Sequence, residues 1–245
     1  MVSDRFGRPG KRRIFLALAL LLVALALVCI GRRFWPALRR RVRGRSTVAQ
    51  RVEQYGASAR GRMAPWFEKA GVPYPPPRIV LLAVKDTRIL KVYAPAADDR
   101  WRAVRSYPIH KASGRPGPKL REGDRQVPEG VYVIESLNPN SMFHLSLRLN
   151  YPNEFDRQRA QDDRRNGLGG DIFIHGGAAS VGCLAMGDPA AEELFVLTTD
   201  VGRRNITVII TPVDFRARPT WQPPPQPPWV GRLYEQIRDA MAELP

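Results

Sequence analysis

From Ile14 to Ile30 the chain runs through seventeen residues without a charge: Ile-Phe-Leu-Ala-Leu-Ala-Leu-Leu-Leu-Val-Ala-Leu-Ala-Leu-Val-Cys-Ile. Nothing else in the sequence constrains the fold as strongly. A helix buried against a soluble core keeps polar residues on its outer face, and this run has none. Its length sits at the short end of what crosses a bilayer, and Gly31 extends it. Lys11, Arg12 and Arg13 precede it, and Arg32 and Arg33 follow. No small-x-small cleavage site comes after the run, and Leu27-Val28 ahead of Cys29 does not suit lipoprotein processing. The expectation is one N-terminal transmembrane helix at 14–31, retained as a signal anchor behind a basic cytoplasmic tail at 1–13. Residues 32–70 then form a basic juxtamembrane and helical linker, drawn to anionic headgroups. Everything beyond the anchor is expected on the outer, periplasmic side of the inner (cytoplasmic) membrane.

A formal net charge of +16 raises the question of nucleic acid, and its distribution answers it. Residues 1–45 hold 12 Lys and Arg against the single acid Asp4, whereas the remaining 200 hold 27 against 22. The excess belongs to the flanks of the apolar run. The rest shows no basic stripe interleaved with aromatics, so no nucleic-acid partner is expected. The cysteines are Cys29, inside the apolar run, and Cys183. The exported part therefore has no internal disulfide, and a lone thiol in an oxidising compartment points to reactivity.

Short apolar runs at turn-bounded spacing predict strands at 79–84, 88–93, 101–107, 131–136, 142–147, 172–175 and 206–211, with Lys85-Asp86-Thr87 closing a hairpin between the first two. Helices are predicted at 189–199, with Asp188 as N-cap and Pro189 at the first helical position, and at 231–244. Ser46 or Thr47 can cap a helical stretch over 47–71, which Gly56 and Gly61 are expected to interrupt. Polar connections at 109–130 and 148–171 are long for a compact domain, and loops of that length are usually functional or mobile. Gln222-Pro-Pro-Pro-Gln-Pro-Pro228 reads as an extended spacer. The fold class is mainly β with flanking helices (α+β). A catalytic domain is expected at 71–212, and a proline-rich spacer with a C-terminal helix at 213–245.

The chemistry concentrates in Asp171-Ile-Phe-Ile-His-Gly-Gly-Ala-Ala-Ser-Val-Gly-Cys-Leu-Ala-Met-Gly-Asp188. A strand-like run delivers His175, a Gly/Ala/Ser turn follows, and Cys183 closes the segment. A thiolate is a strong nucleophile, and a neighbouring imidazole can generate it. The glycines let the backbone turn tightly and aim N–H groups at one point, as an oxyanion requires. An imidazole in reach is expected to bring the thiol pKa below its free value of about 8.5. Three histidines without paired spacing do not make a metal site, and neither metal nor cofactor is expected.

His175-Gly176 followed by Ser180-Val181-Gly182-Cys183 resembles the catalytic signature of the L,D-transpeptidase family, the YkuD domain. The spacer is shorter than that family's usual one, Val181 stands where a second histidine is common, and Leu184-Ala185-Met186 follows the cysteine. These departures resemble the branch of YafK-like murein L,D-transpeptidases. The same branch is resembled, in the same order, by Ser113-Gly-Arg-Pro-Gly-Pro-Lys-Leu-Arg-Glu-Gly-Asp124, Gln126-Val-Pro-Glu-Gly-Val-Tyr132, Asn138-Pro-Asn-Ser-Met-Phe-His-Leu-Ser146, and Tyr151-Pro-Asn153 with Asp156.

The resemblance implies a cysteine acyltransferase acting on peptidoglycan stem peptides. Cys183 would attack the carbonyl of the third-position diamino acid and expel the terminal D-residue, leaving a thioester for an amine or water to resolve. His175 would be base and then acid. The N–H groups of Gly182 and Cys183 would hold the oxyanion, and Ser180 would orient His175. Gly176 belongs to the same signature. Two readings stand for each remaining candidate: Lys119 and Arg121 as partners of stem-peptide carboxylates or as solvated loop cations, Tyr151 as a lining of the acyl pocket or an ordinary turn aromatic, and His144 as a strand residue facing the cleft or a satisfied sheet histidine. Two competing readings share the scaffold: a hydrolase that admits water to the thioester, and a wall-binding module with an inactive site.

Overall fold

A computed structural model of the chain describes residues 44–223 and 227–245. The apolar run at 14–31 lies outside the described residues, and the transmembrane expectation with it. Among the described residues no helix is long and apolar enough to cross a membrane. In chain order the elements are α1 (Val48–Ala70), β1 (Ile79–Val84), β2 (Ile89–Pro95), β3 (Trp101–Pro108), β4 (Lys111–Ala112), β5 (Gly130–Ser141), β6 (His144–Leu149), α2 (Glu154–Asp162), β7 (Phe173–His175), β8 (Leu184–Ala185), α3 (Asp188–Val201), β9 (Ile206–Thr211) and α4 (Val230–Met241). The strands form one mixed sheet in the order β3-β2-β1-β9-β5-β6-β7-β8-β4, mainly β with flanking helices as the sequence predicts.

The centre of the sheet follows from its most apolar sequences. β1, Ile-Val-Leu-Leu-Ala-Val, is buried along its whole length, because a strand covered on both faces needs apolar residues at every position. Alternate side chains go to opposite layers. Ile79, Leu81 and Ala83 join the cluster with Met63 and Phe67 of α1 and Leu194 and Phe195 of α3. Val80, Leu82 and Val84 join the cluster with Val230, Leu233, Ile237 and Met241 of α4. β9 lies parallel to β1, Ile79 opposite Ile206 through Val84 opposite Thr211. The C-terminal helix thus covers the second face of the sheet directly.

α1 is one helix of 23 residues, although Gly56, Gly61 and Pro65 lie within it. Tertiary contacts outweigh the propensity cost of the glycines. Ala59, Met63 and Phe67 repeat at four-residue spacing and are buried. Arg60 donates to both oxygens of Asp200 at 2.8 and 2.6 Å. Arg62 reaches Glu193 at 2.6 Å and Glu192 at 2.9 Å. Of the two candidate caps, Thr47 performs: its side chain accepts from Gln50 N while Gln50 returns the bond, a capping box.

β5 carries the sheet toward the candidate site. Its pairing with β6 shifts register between Ile134 and Ser136 and again between Asn138 and Ser141, and such irregularities bend and twist a strand. Beyond that bend come β6, then β7 antiparallel to it, then β8 parallel to β7, then β4 antiparallel to β8. β4 and β8 have two residues each, too short to leave a periodic signal in sequence. α2 occupies part of the stretch expected as a loop at 148–171. Its sequence, Glu-Phe-Asp-Arg-Gln-Arg-Ala-Gln-Asp, has almost no apolar face, and it rests on a capping box between Asn153 and Asp156.

Candidate active site

β7 and β8 bring the two ends of the His–Cys segment side by side. Ile174 pairs with Leu184 and His175 with Ala185, so the 176–183 turn closes between neighbouring strands. The turn depends on glycine. A Cβ at Gly176 would sit 2.6 Å from Asp188 Oδ1 and 2.8 Å from the Phe143 carbonyl oxygen. Asp188 is not an N-cap. It is the first residue of α3, after Gly187, and its carboxylate accepts from Gly177 N at 2.7 Å, tying the turn to the helix start.

His175 is buried, with its Nδ1 2.6 Å from the Gly176 carbonyl oxygen. A carbonyl only accepts, so Nδ1 carries the proton and Nε2 is the basic nitrogen. The Phe143 ring lies against the imidazole, with centroids 4.7 Å apart and planes at 31°. Cys183 is half-buried, and its Sγ donates to the Asp171 carbonyl at 3.6 Å. His175 and Cys183 line the same cavity of about 220 Å³, with Asn138, Asn140, Ser141, Met142, Phe143, Ser146 and Phe173.

Burial sets the protonation of this pair. It lowers the His175 pKa from its ordinary value, partly offset by the Gly176 carbonyl. It raises the thiol of Cys183, with a smaller downward pull from the Phe173 backbone. Both residues are therefore neutral at rest. This reverses the expectation of a thiol depressed by a nearby imidazolium, because a neutral imidazole offers no charge to stabilise a thiolate.

The other expected residues take varied places. Ser180 does not orient His175: its Oγ accepts from Cys183 N at 3.1 Å and donates to Cys183 O at 2.5 Å, clasping the turn. Gly182, at φ +86°, donates its N–H to Ser113 Oγ at 2.6 Å. Lys119 is buried and engaged by Asp124 at 2.6 Å and the Arg121 carbonyl at 2.8 Å. Asp124 also accepts from the backbone of Leu120, Arg121 and Gln126, so this pair staples its own loop. Arg121 is exposed and lines a separate open cleft of about 990 Å³ with Arg115 and Arg165. Tyr151 is buried, its hydroxyl donating to the Leu168 carbonyl at 3.3 Å, and burial raises its pKa. His144 turns its ring to the helices, with Nε2 3.0 Å from Glu192 Oε1 and an edge contact to Tyr55. Sequence reasoning gave no role to Ser113, Phe143 or Asp171. Each nevertheless lies in a motif quoted above, Asp171 at the head of the His–Cys segment. Among the described residues no cluster of three or more His, Cys, Asp or Glu is placed to hold a metal.

A family model, described as the L,D-transpeptidase catalytic domain YkuD, matches residues 78–215. The Escherichia coli K12 protein named "Putative L,D-transpeptidase YafK" is 32% identical over 133 residues, covering 52% of this chain and 51% of that protein. Its counterpart in Escherichia coli O157:H7 matches equally. The chain thus spans about half the length of the curated relatives it matches. Looser likenesses in structure are to the helical cell shape determining protein Pgp2 of Campylobacter jejuni (TM-score 0.46, 22% identity, 62% of this chain and 56% of that one) and to L,D-transpeptidase 1 of Mycobacterium tuberculosis (TM-score 0.32, 14% identity, 55% and 62%).

Proposed function

The chain belongs to the YkuD family of L,D-transpeptidase catalytic domains, and from that membership we propose that it is a cysteine acyltransferase working on peptidoglycan stem peptides through a thioester at Cys183. The observation that carries the reading is the locked imidazole. With Nδ1–H committed to the Gly176 carbonyl, Nε2 is left as the basic nitrogen of His175, and His175 and Cys183 line one cavity. As the donor stem's carbonyl meets Sγ, the S–C bond forms, the thiol proton passes to Nε2, and the carbonyl π pair moves to oxygen. Collapse of that oxyanion re-forms the C=O bond and expels the terminal residue's amine, which takes the proton from Nε2. The acceptor amine then repeats the sequence in reverse and releases the cross-linked product. A pair that starts neutral suits this order, since no charge is stranded in the buried site before substrate arrives.

A hydrolase shares every step up to the thioester and differs only in admitting water. The proposal also places residues 14–31 as an inner-membrane anchor with the domain in the periplasm, a reading supported by the sequence alone.

The test is intact-mass and product analysis with a disaccharide-tetrapeptide. The expected outcome is an acyl adduct on Cys183 lacking the terminal residue, and a dimeric product when an acceptor stem is added. A tripeptide product alone would assign the hydrolase. Cys183→Ala should give no adduct and no product. Turnover within about tenfold of wild type in that variant, roughly 1.4 kcal/mol of barrier, would overturn thiol catalysis.

A further inference from the structure

We propose that α1 completes the active site, with Arg51 and Tyr55 as positioning residues that hold the β5–β6 hairpin where it walls the Cys183 cavity. α1 spans Val48–Ala70, outside the 78–215 segment that matches the family. The assignment rests on the acyl-transfer reading of Cys183.

The tip of the hairpin forms much of that cavity. Asn138, Asn140, Ser141, Met142 and Phe143 all line it, and the Phe143 ring lies against the His175 imidazole. Yet the tip has little of its own to fix it. The ladder between β5 and β6 is interrupted from Asn138 to Ser141, leaving Pro139 and Asn140 outside it. The bonds within the tip are local, Asn140 N to Asn138 Oδ1 at 2.9 Å and Phe143 N to Ser141 Oγ at 3.1 Å. Met142 is 84% exposed, so no core packs over the turn. His144 follows at φ +71°, in the left-handed region that a non-glycine residue keeps only where its surroundings hold it there.

Those surroundings come from the helices. The Asn140 side chain clamps the backbone of Ser46, accepting from its N–H at 2.9 Å and donating to its carbonyl at 2.8 Å. Ser46 is itself fixed, because the next residue is the Thr47 cap of α1. Arg51 Nε donates to the Pro139 carbonyl at 2.9 Å, inside the gap in the ladder. The Tyr55 ring meets the His144 ring edge-on, with centroids 5.1 Å apart. The same imidazole reaches Glu192 at 3.0 Å, and Arg62 of α1 engages Glu192 in turn at 2.9 Å. Neither Arg51 nor Tyr55 lines the cavity, so each acts on it only through the hairpin. Loss of their contacts lets the tip drift, taking Phe143 from His175 and widening the seat for a stem peptide. A misplacement of about 1 Å caused far from the chemistry can cost on the order of 100-fold in rate.

The test uses the full-length protein carrying Arg51→Ala and Tyr55→Leu together. Tyr55 packs partly on the core, and leucine keeps that contact apolar. Amide hydrogen exchange over 138–144 should speed up by about tenfold or more, with exchange in β1 unchanged. kcat/KM for a disaccharide-tetrapeptide should fall by about 10- to 100-fold, chiefly through KM. Alkylation of Cys183 by iodoacetamide, which needs the thiol but no seat for a stem, should stay level or rise. Arg51→Lys with Tyr55→Phe, which keep a donor and a ring, should stay near wild type on every measure. Unchanged exchange over 138–144 would overturn the proposal, because α1 would then not be what holds the tip. Faster exchange there with unchanged kcat/KM would overturn it too, leaving α1 as a brace without catalytic consequence. If exchange in β1 also rises and alkylation falls, the fold as a whole has loosened, and Arg51→Ala alone, at a partly exposed position, decides by the same readouts. A wild-type Cys183 that alkylates but accepts no acyl group would remove the acyl-transfer reading itself, and this inference with it.

Discussion

Cys183 and His175 are pushed toward neutrality by one cause, the loss of water around both. The consequence is measurable. Alkylation of Cys183 should follow a thiol pKa above the ordinary value, with the rate still climbing at pH 9. His175→Ala should leave that profile nearly in place while suppressing turnover, because the imidazole acts on the proton only once substrate is present. A profile with its midpoint near or below neutrality would show an imidazolium–thiolate pair instead. That the two residues lie together was foreshadowed in sequence, where His175 and Cys183 stand eight apart and bracket a glycine-rich turn. The orientation of the pair was not. Nothing in the sequence says that Nδ1 turns to the neighbouring carbonyl, or that Ser180 spends both its bonds on Cys183 and none on the imidazole.

Among the elements, α2 offers the sharpest thermodynamic signature. Its capping box places Asp156 under the Tyr132 hydroxyl and the Asn153 N–H, and burial raises its carboxyl to about 6 from an ordinary 3.8. An acid whose folded pKa is raised holds its proton longer in the native state than in the unfolded one. Its contribution is therefore complete below about pH 4, lost as pH climbs to about 6, and flat above that. Asp156→Asn should remove this fall, so that the variant gains on wild type between pH 4 and pH 6 by roughly 2 to 3 kcal/mol, read from urea unfolding at each pH. Equal pH profiles for the two proteins would show that Asp156 ionises normally. The helix itself had no apolar periodicity to betray it, whereas the runs that became β1 and β9 were read within their observed bounds. α1 shows the opposite limit: its glycines argued for interruption, and ion pairs to Glu192, Glu193 and Asp200 keep it whole.

For the whole molecule, the sequence makes one large demand, that residues 14–30 be kept from water. A reporter fused after Pro245 should be active only if it is of a kind that works outside the cytoplasm. A signal from a cytoplasm-restricted reporter would sink the topology and the wall substrate together. Sequence by itself determined what depends on local composition and period: the apolar run with its basic flanks, the central strands, the helix that follows Gly187 and the C-terminal helix, and the residue types that carry the chemistry. The fold decided what depends on partners far apart in the chain. Two-residue strands such as β4 and β8 have no local preference to read, and they form by pairing, β8 on β7 and β4 on β8. That pairing is what sets Ser113 against the nucleophile's turn, 69 residues away from Gly182 in sequence. The direction of each proton and hydroxyl in the site follows from burial and from which donors are already spent, and both are properties of the assembled sheet.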